Sequence, residues 1–177
     1  MPKKNSKQGL IRKMTEKDLG QVFQWRNHFD VRRFMFSQEE ITIDEHHRWF
    51  ECASQDSSRC LLIFENNGVP AGSVNFTLHG TTSVATWGFY LDPNAAKGLS
   101  NKLGLVTLDY AFGNLGLHKV CGKALVFNER SIKYHLGLGF KKEGVLREQY
   151  SDGKAYHNII CFGLLESEWN QSCRKDL

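Results

Sequence analysis

The sequence predicts an α/β protein built on a mixed, mostly antiparallel sheet with helices on both faces, and three patterns predict it. Short apolar runs of strand length recur along the chain, capping boxes open helical stretches between them, and Asn-Gly and Asp-Gly turns join two pairs of those runs. The expected order is β-α-α-β-β-β-α-β-α-β-β.

Leu10 to Met14 makes a short alternating strand. Thr15-x-x-Asp18 then opens a helix carrying Leu19, Val22 and Phe23. Thr42-x-x-Glu45 is a second capping box, after which His46, Trp49, Phe50 and Ala53 fall on one helical face. Cys60 to Phe64 and Ala71 to Leu78 read as two strands joined by the hairpin signal Asn66-Asn67-Gly68. Val84 to Leu91 is a further strand, broken by Asp92-Pro93-Asn94 and a loop carrying Gly98. From Asn101 to Phe112 the apolar positions keep a helical period until Gly113-Asn114 and Gly116 end it. Lys119 to Phe127 is a strand and Asn128 to Leu138 a helix stopped by Gly139. Val145 to Tyr150 and Ala155 to Leu165 close the chain as a hairpin about Ser151-Asp152-Gly153-Lys154.

A chain of 177 residues, 41% of them apolar, suffices for one substantial core. We expect one domain over 10–169, with a polar segment at 1–9 and a tail at 170–177. Lys and Arg number 23 against 19 Asp and Glu, a net charge of +4 without a long basic run, which suits a small polyanionic ligand better than nucleic acid. No apolar stretch approaches the roughly 20 residues of a membrane span, and residues 1–9 lack the apolar centre of a signal peptide. The expected location is cytoplasmic. Five cysteines without a C-x-x-C pair read as reduced thiols, and His46-His47 has no ligand spacing around it, so no metal is expected.

Three segments together resemble the GNAT acetyltransferase superfamily over roughly Leu10 to Trp169. They are Trp87-Gly88-Phe89-Tyr90-Leu91-Asp92-Pro93 with the Gly98 loop and the helix after it, Leu115-Gly116-Leu117-His118-Lys119, and Asn128-Glu129-Arg130-Ser131 through His135 to Gly139-Phe140 with Glu143 to Glu148. The resemblance implies a GNAT-type sheet and acetyl-CoA as acetyl donor. A helix start presents unpaired N–H groups and the positive end of the macrodipole, which a pyrophosphate requires, so Gly98, Leu99, Ser100, Asn101 and Lys102 are the candidate coenzyme A cradle. The family's pattern of Arg or Gln, two residues, Gly, one residue, Gly or Ala becomes Ala95-x-x-Gly98-x-Ser100, with Lys97 or Lys102 to compensate for the missing leading side chain.

By the same resemblance Tyr90 and Leu91 lie beside the thioester, Asn128 holds the cofactor arm, and His135 stands where the superfamily most often has the Tyr that protonates the thiolate. An imidazolium donates readily near neutral pH. Neighbouring helical residues point about 100° apart, so only one of Tyr134 and His135 faces the cofactor; the register favours His135 and leaves Tyr134 to packing.

The N-terminal third is similar to the pseudaminic-acid-pathway enzymes that acetylate a UDP-linked amino-dideoxy sugar. Trp25-Arg26-Asn27, Val31-Arg32-x-Phe34-Met35-Phe36-Ser37 and Ile41-Thr42-x-x-Glu45-His46-x-x-Trp49-Phe50 carry this likeness. It implies a nucleotide-sugar partner bound by Arg26, Met35, Phe36, His46, Trp49 and Tyr90. Arg suits diphosphate oxygens, while Met and aromatic rings suit a deoxysugar and a base. Lys123 departs from an acidic residue found in some members, either facing the pocket or pointing to solvent from a strand edge. Glu45, Glu129 and His46 are candidate bases that spacing does not separate, and the sequence is silent on oligomeric state, a homodimer being one possibility. Two rival readings stand beside this one. A ribosomal-protein or N-terminal peptide acetyltransferase shares the block after Asn128, and a non-catalytic acyl-CoA-binding module would tolerate His135 in place of Tyr.

Overall fold

The computed structural model describes residues 9–173, with side chains through Gln171. The chain runs β1 (Gly9–Lys13), a 3-10 turn (Glu16–Asp18), α1 (Leu19–Asn27), α2 (Phe29–Arg32), α3 (Ile43–Gln55), β2 (Arg59–Asn66), β3 (Val69–Leu78), β4 (Val84–Leu91) and α4 (Leu99–Asp109). A π-helical turn (Tyr110–Asn114), β5 (Lys119–Leu125), α5 (Glu129–Gly137), β6 (Lys141–Ser151), β7 (Tyr156–Leu165) and α6 (Glu166–Cys173) complete it. Seven strands form one sheet in the order β1-β2-β3-β4-β5-β7-β6. The β1–β2, β5–β7 and β6–β7 pairings are antiparallel, whereas β4 runs parallel to β5.

That parallel ladder is short. It pairs Val84 with Lys119, Ala85 with Val120 and Thr86 with Cys121, and β5 then continues alongside β7 as far as Leu125–Ile159. The fold expected from sequence is the fold observed, with three differences. α2 and α6 are additional; α6 starts where the Glu168 carboxylate accepts the Leu165 N–H at 3.1 Å, so helix covers part of the expected tail. The helix expected to end near Phe112 ends at Asp109 and loosens into the π-helical turn, which keeps Ala111 and Phe112 buried. Lys123 is exposed, as one alternative held, but β5 is an interior strand and not an edge.

The chain divides into two compact units. The first comprises residues up to Phe76 and Gly88–Tyr110. Its core gathers Met14, Leu19, Val22, Trp25, Phe50, Ala53, Leu61 and Ile63. Arg12 on β1 binds Asp18 through two hydrogen bonds of 2.8 Å and Glu65 at 2.5 Å, and this pairing holds the Asp18 carboxyl below its usual range. α3 begins with the expected capping box, Thr42 Oγ1 accepting the Glu45 N–H at 3.2 Å while Glu45 accepts the Thr42 N–H at 2.7 Å, a motif worth about 1 kcal/mol. The turn after β2 sets Asn67 at φ 54° and Gly68 at φ 79°, the left-handed pair that a two-residue hairpin loop needs.

The second unit comprises Thr77–Trp87 and the chain from Ala111. It is organised around Gly122 on β5. The ring of His135 from α5 lies directly over this glycine, stacks on Phe162 of β7 with centroids 4.8 Å apart, and meets Trp87 and Phe140 edge-on. A Cβ at residue 122 would overlap the His135 ring and stand 3.0 Å from Trp87 Nε1. Among the described residues no helix is long and apolar enough to cross a membrane.

Gly122→Ala is expected to lower stability by about 1–3 kcal/mol through overpacking, read as a lower urea midpoint at an unchanged slope.

Candidate active site

Each part of the site follows from a local rule of chain geometry. Gly98 takes φ 87°, a left-handed conformation that favours glycine, and α4 starts from it, the cap residue having no side chain with which to bond the first turn. Turns precede it: Asp92 Oδ1 accepts the Asn94 N–H at 2.8 Å, the Ala95 N–H bonds the Asp92 carbonyl at 2.9 Å, and the Leu99 N–H bonds the Ala96 carbonyl at 3.2 Å. The first turn of α4 therefore presents a positive macrodipole end, shaped for an anion, formed by Leu99, Ser100, Asn101 and Lys102. The Lys102 ammonium donates to Asn66 Oδ1 at 2.7 Å, so this side chain ties α4 to β2.

Tyr90 and Leu91 end β4. A Cβ on Gly72 of β3 would come within 2.9 Å of the Tyr90 carbonyl and 3.2 Å of the Leu91 side chain, so glycine there permits a close backbone approach. The Tyr90 ring packs against the core of the first unit, burial pushes its phenol up to about 12, and its hydroxyl bonds Ser73.

Three residues expected to bind the acceptor, Arg26, His46 and Trp49, come together beside it. Arg26 on α1 is 8% exposed; its Nη2 donates to the Ser37 carbonyl at 2.8 Å while Nη1 has no hydrogen-bond partner. His46 on α3 is 2% exposed, stacks on Trp49 with centroids 5.3 Å apart, and leaves Nε2 without a partner. Burial lowers the His46 pKa, an effect that its hydrogen bond to the Leu19 backbone only partly offsets, so the ring is neutral. Arg26 exerts its charge on both His46 and Tyr90. Met35, half-buried, and Phe36, half-exposed, sit on the segment between α2 and α3. Arg26, Asn27 and Arg32 pin that segment through the carbonyls of Ser37, Ile41 and Gln38.

Asn128 and His135 belong to the second unit. Asn128 caps α5, its Oδ1 accepting the Ser131 N–H at 3.1 Å, which leaves the carboxamide NH2 as the part able to donate to a ligand. His135 is 2% exposed. Trp87 Nε1–H donates to its Nε2 at 3.1 Å, which places the ring proton on Nδ1, and Nδ1 donates to the Ser131 carbonyl at 2.7 Å. Burial drives its pKa down. In this geometry both nitrogens of His135 are engaged within the unit, burial disfavours its charged form, and the ring bonds Trp87 over Gly122; these contacts are structural and do not test the proton-donor role expected from sequence. Tyr134 stacks on Trp87 with centroids 6.5 Å apart, in line with its expected packing role.

An anion-ready helix start after a strand whose parallel ladder ends early, on a seven-stranded mixed sheet, defines the architecture of a coenzyme A-dependent acetyltransferase. Residues 10–141 match the acetyltransferase (GNAT) domain model, and the chain belongs to that family. It is 38% identical over 122 residues to the SPbeta prophage-derived uncharacterized N-acetyltransferase YokL of Bacillus subtilis, covering 67% of this chain and 68% of the relative. Acetyltransferase PseH of Campylobacter jejuni is 32% identical over 125 residues, covering 69% and 76%. Spermidine N(1)-acetyltransferase of Escherichia coli is 25% identical over 161 residues, covering 90% and 87%. In fold, the chain matches the spermidine N-acetyltransferase of Vibrio cholerae, crystallised with CoA and spermine, at a TM-score of 0.85 and 22% identity over 92% of this chain and 98% of that one. The protein is an acetyl-CoA-dependent N-acetyltransferase.

Sequence reasoning missed Ser73, Gly122 and the Trp87–His135 bond. Glycine inside a strand, at 122, was the one available signal of a close approach; nothing in the spacing couples residue 87 to residue 135.

Two outcomes are expected. The folded-state pKa values of His46 and His135 lie below the ordinary 6.5, so the unfolded chain takes up protons first as pH falls. Their stabilising contribution is complete above about pH 6.5 and is lost as pH drops toward the folded-state values, so the urea midpoint should fall over that window and fall less in His135→Gln. Ser100→Asp should weaken acetyl-CoA binding at least about tenfold in calorimetry without lowering the melting temperature, because an acid in a first helical turn stabilises the helix while repelling pyrophosphate.

Proposed function

We propose that the acceptor is the amino group of a UDP-linked amino-dideoxy sugar, as in the pseudaminic acid pathway. The observation that carries this reading is the pair of buried, unpartnered polar atoms in the first unit, Arg26 Nη1 and His46 Nε2. A buried guanidinium with an unused donor costs stability unless a ligand completes it, and Arg matches the paired oxygens of a diphosphate or the carbonyls of a pyrimidine. Neutral His46 beside it supplies a further hydrogen bond, and Trp49 and Tyr90 offer flat apolar surface to a ring. The likeness to PseH over 69% of the chain supports the same class.

A polyamine acceptor, suggested by the spermidine acetyltransferases, would bring several positive charges to a pocket containing Arg26 and an uncharged histidine. Like charges at close range in a poorly solvated pocket repel strongly, which argues against it. In this reading Gly98–Lys102 hold the pyrophosphate of the cosubstrate, Asn128 its arm, and backbone groups about Tyr90 and Leu91 its carbonyl. Met35 and Phe36 close over the sugar from the pinned segment. The cosubstrate supplies the activated acetyl group; the protein supplies position.

Free thiol release from acetyl-CoA should appear with a UDP-linked 4-amino-4,6-dideoxy sugar and stay at background with spermidine or a peptide amine. Arg26→Gln should raise KM for the sugar about 10- to 100-fold, the range of one charged hydrogen bond, and leave acetyl-CoA affinity unchanged. Comparable turnover of spermidine would overturn the assignment.

A further inference from the structure

We propose that Arg32 is a second guanidinium ligand for the diphosphate of the acceptor, acting beside Arg26 as the outer arm of a two-arginine clamp; this deepens, and rests on, the sugar-nucleotide reading above. Both arginines hold the same stretch of chain. Arg26 Nη2 donates to the Ser37 carbonyl at 2.8 Å and Arg32 Nη1 to the Gln38 carbonyl at 3.0 Å, so the two guanidiniums are bound to successive residues. Consecutive Cα atoms lie about 3.8 Å apart, which makes the two cations near neighbours. Each also keeps a donor unused: Arg26 Nη1 and Arg32 Nε are buried N–H groups without a hydrogen-bond partner.

The charge balance decides the class of ligand. Burial lowers the Arg26 pKa most, and the like charge of Arg32 lowers it further. Guanidiniums stay protonated all the same, so an anion, not the loss of a proton, relieves this repulsion. Arg26 is bonded to a neutral carbonyl. Arg32 Nη2 pairs with Glu40 Oε1 at 3.0 Å, but Glu40 is 68% exposed, and a surface ion pair of this kind is weak in water. One exposed carboxylate against two guanidiniums leaves positive charge, which a diphosphate matches with an oxygen for each free N–H. The arms differ in depth. Arg26 is 8% exposed and the Arg32 side chain 26%, so Arg32 is the arm open to solvent.

His46 suits another group of the ligand. Its bond to the Leu19 backbone and its unpartnered Nε2 place the ring proton on Nδ1, so Nε2 offers a lone pair. A lone pair repels phosphate oxygen and accepts from an N–H or O–H. The arginines are therefore the phosphate donors, and the histidine reads a hydroxyl or an imide N–H. Pinning the segment between α2 and α3 is the other role that the Arg32 contacts suggest, and the two roles part in what they predict. A pin acts alike on every ligand of the pocket; a clamp acts on those that carry the diphosphate.

The test is calorimetric titration of the full chain with UDP and with uridine, at saturating CoA so that the cosubstrate's place is filled. Arg32→Gln should weaken UDP binding about 10- to 100-fold, the range of one charged hydrogen bond, and change uridine binding by less than about threefold. Arg32→Lys keeps a charge but lacks the Nε–H and the planar fork, and should recover only part of the loss. Glu40→Gln, at an exposed position, should strengthen UDP binding about two- to fivefold at low salt and lose the gain as salt rises, because the carboxylate competes for the same guanidinium. Equal losses of UDP and uridine affinity in Arg32→Gln, an unchanged UDP affinity there, or UDP binding in Glu40→Gln no stronger than in the wild type overturns this inference alone. A wild type that binds no UDP overturns the sugar-nucleotide reading and the clamp with it.

Discussion

The second unit depends on one hydrogen bond, from Trp87 Nε1–H to His135 Nε2, made over a strand residue with no side chain. Trp87 follows the last residue of β4 that pairs with β5, so the bond holds the point where the parallel ladder stops. Any side chain on Gly122 would displace the imidazole, and a protonated imidazole could not accept from Trp87. The constraint thus links backbone spacing, tautomer and burial: neutral His135 is required by its neighbours, and burial among Trp87, Phe140 and Phe162 keeps it neutral.

The first unit follows the opposite principle. Its apolar core is complete around Trp25, Phe50 and Ile63, yet beside it Arg26 and His46 are buried with polar atoms that nothing in the protein satisfies. Buried polar groups are almost always paired, so these two orphans in one charged neighbourhood are the observation on which the proposed acceptor site rests. The segment from Arg33 to Thr42, which carries Met35 and Phe36, has little regular structure of its own and is pinned by side chains of α1 and α2.

Much of this was legible in the residues. Both capping boxes, the Asn67-Gly68 turn and the hairpin about Gly153 act through contacts three or four residues apart, and such local chemistry is written in order along the chain. Arg26, His46, Trp49 and Tyr90, nominated by the likeness to the sugar-acetylating enzymes, do gather in one unit, three on two helices of recognisable period and the fourth at the end of a clear strand. Long-range pairing was the part that local patterns do not encode. His135 was expected to face the cofactor by its place in a motif, and only its distant partner Trp87 and the strands beneath it make it a buried residue. Lys102 was expected at the anion site, and its bond to the distant Asn66 is a contact that local spacing does not encode. The carboxylate of Asp152 is a turn residue by any sequence rule; its second bond, to His157, depends on how the hairpin closes.

The most direct test of this account is the imidazole nitrogen spectrum of selectively labelled His135. A ring protonated at Nδ1, with unprotonated Nε2 accepting a hydrogen bond, is the result predicted near neutral pH for a buried, depressed histidine. An imidazolium signal at neutral pH would contradict it.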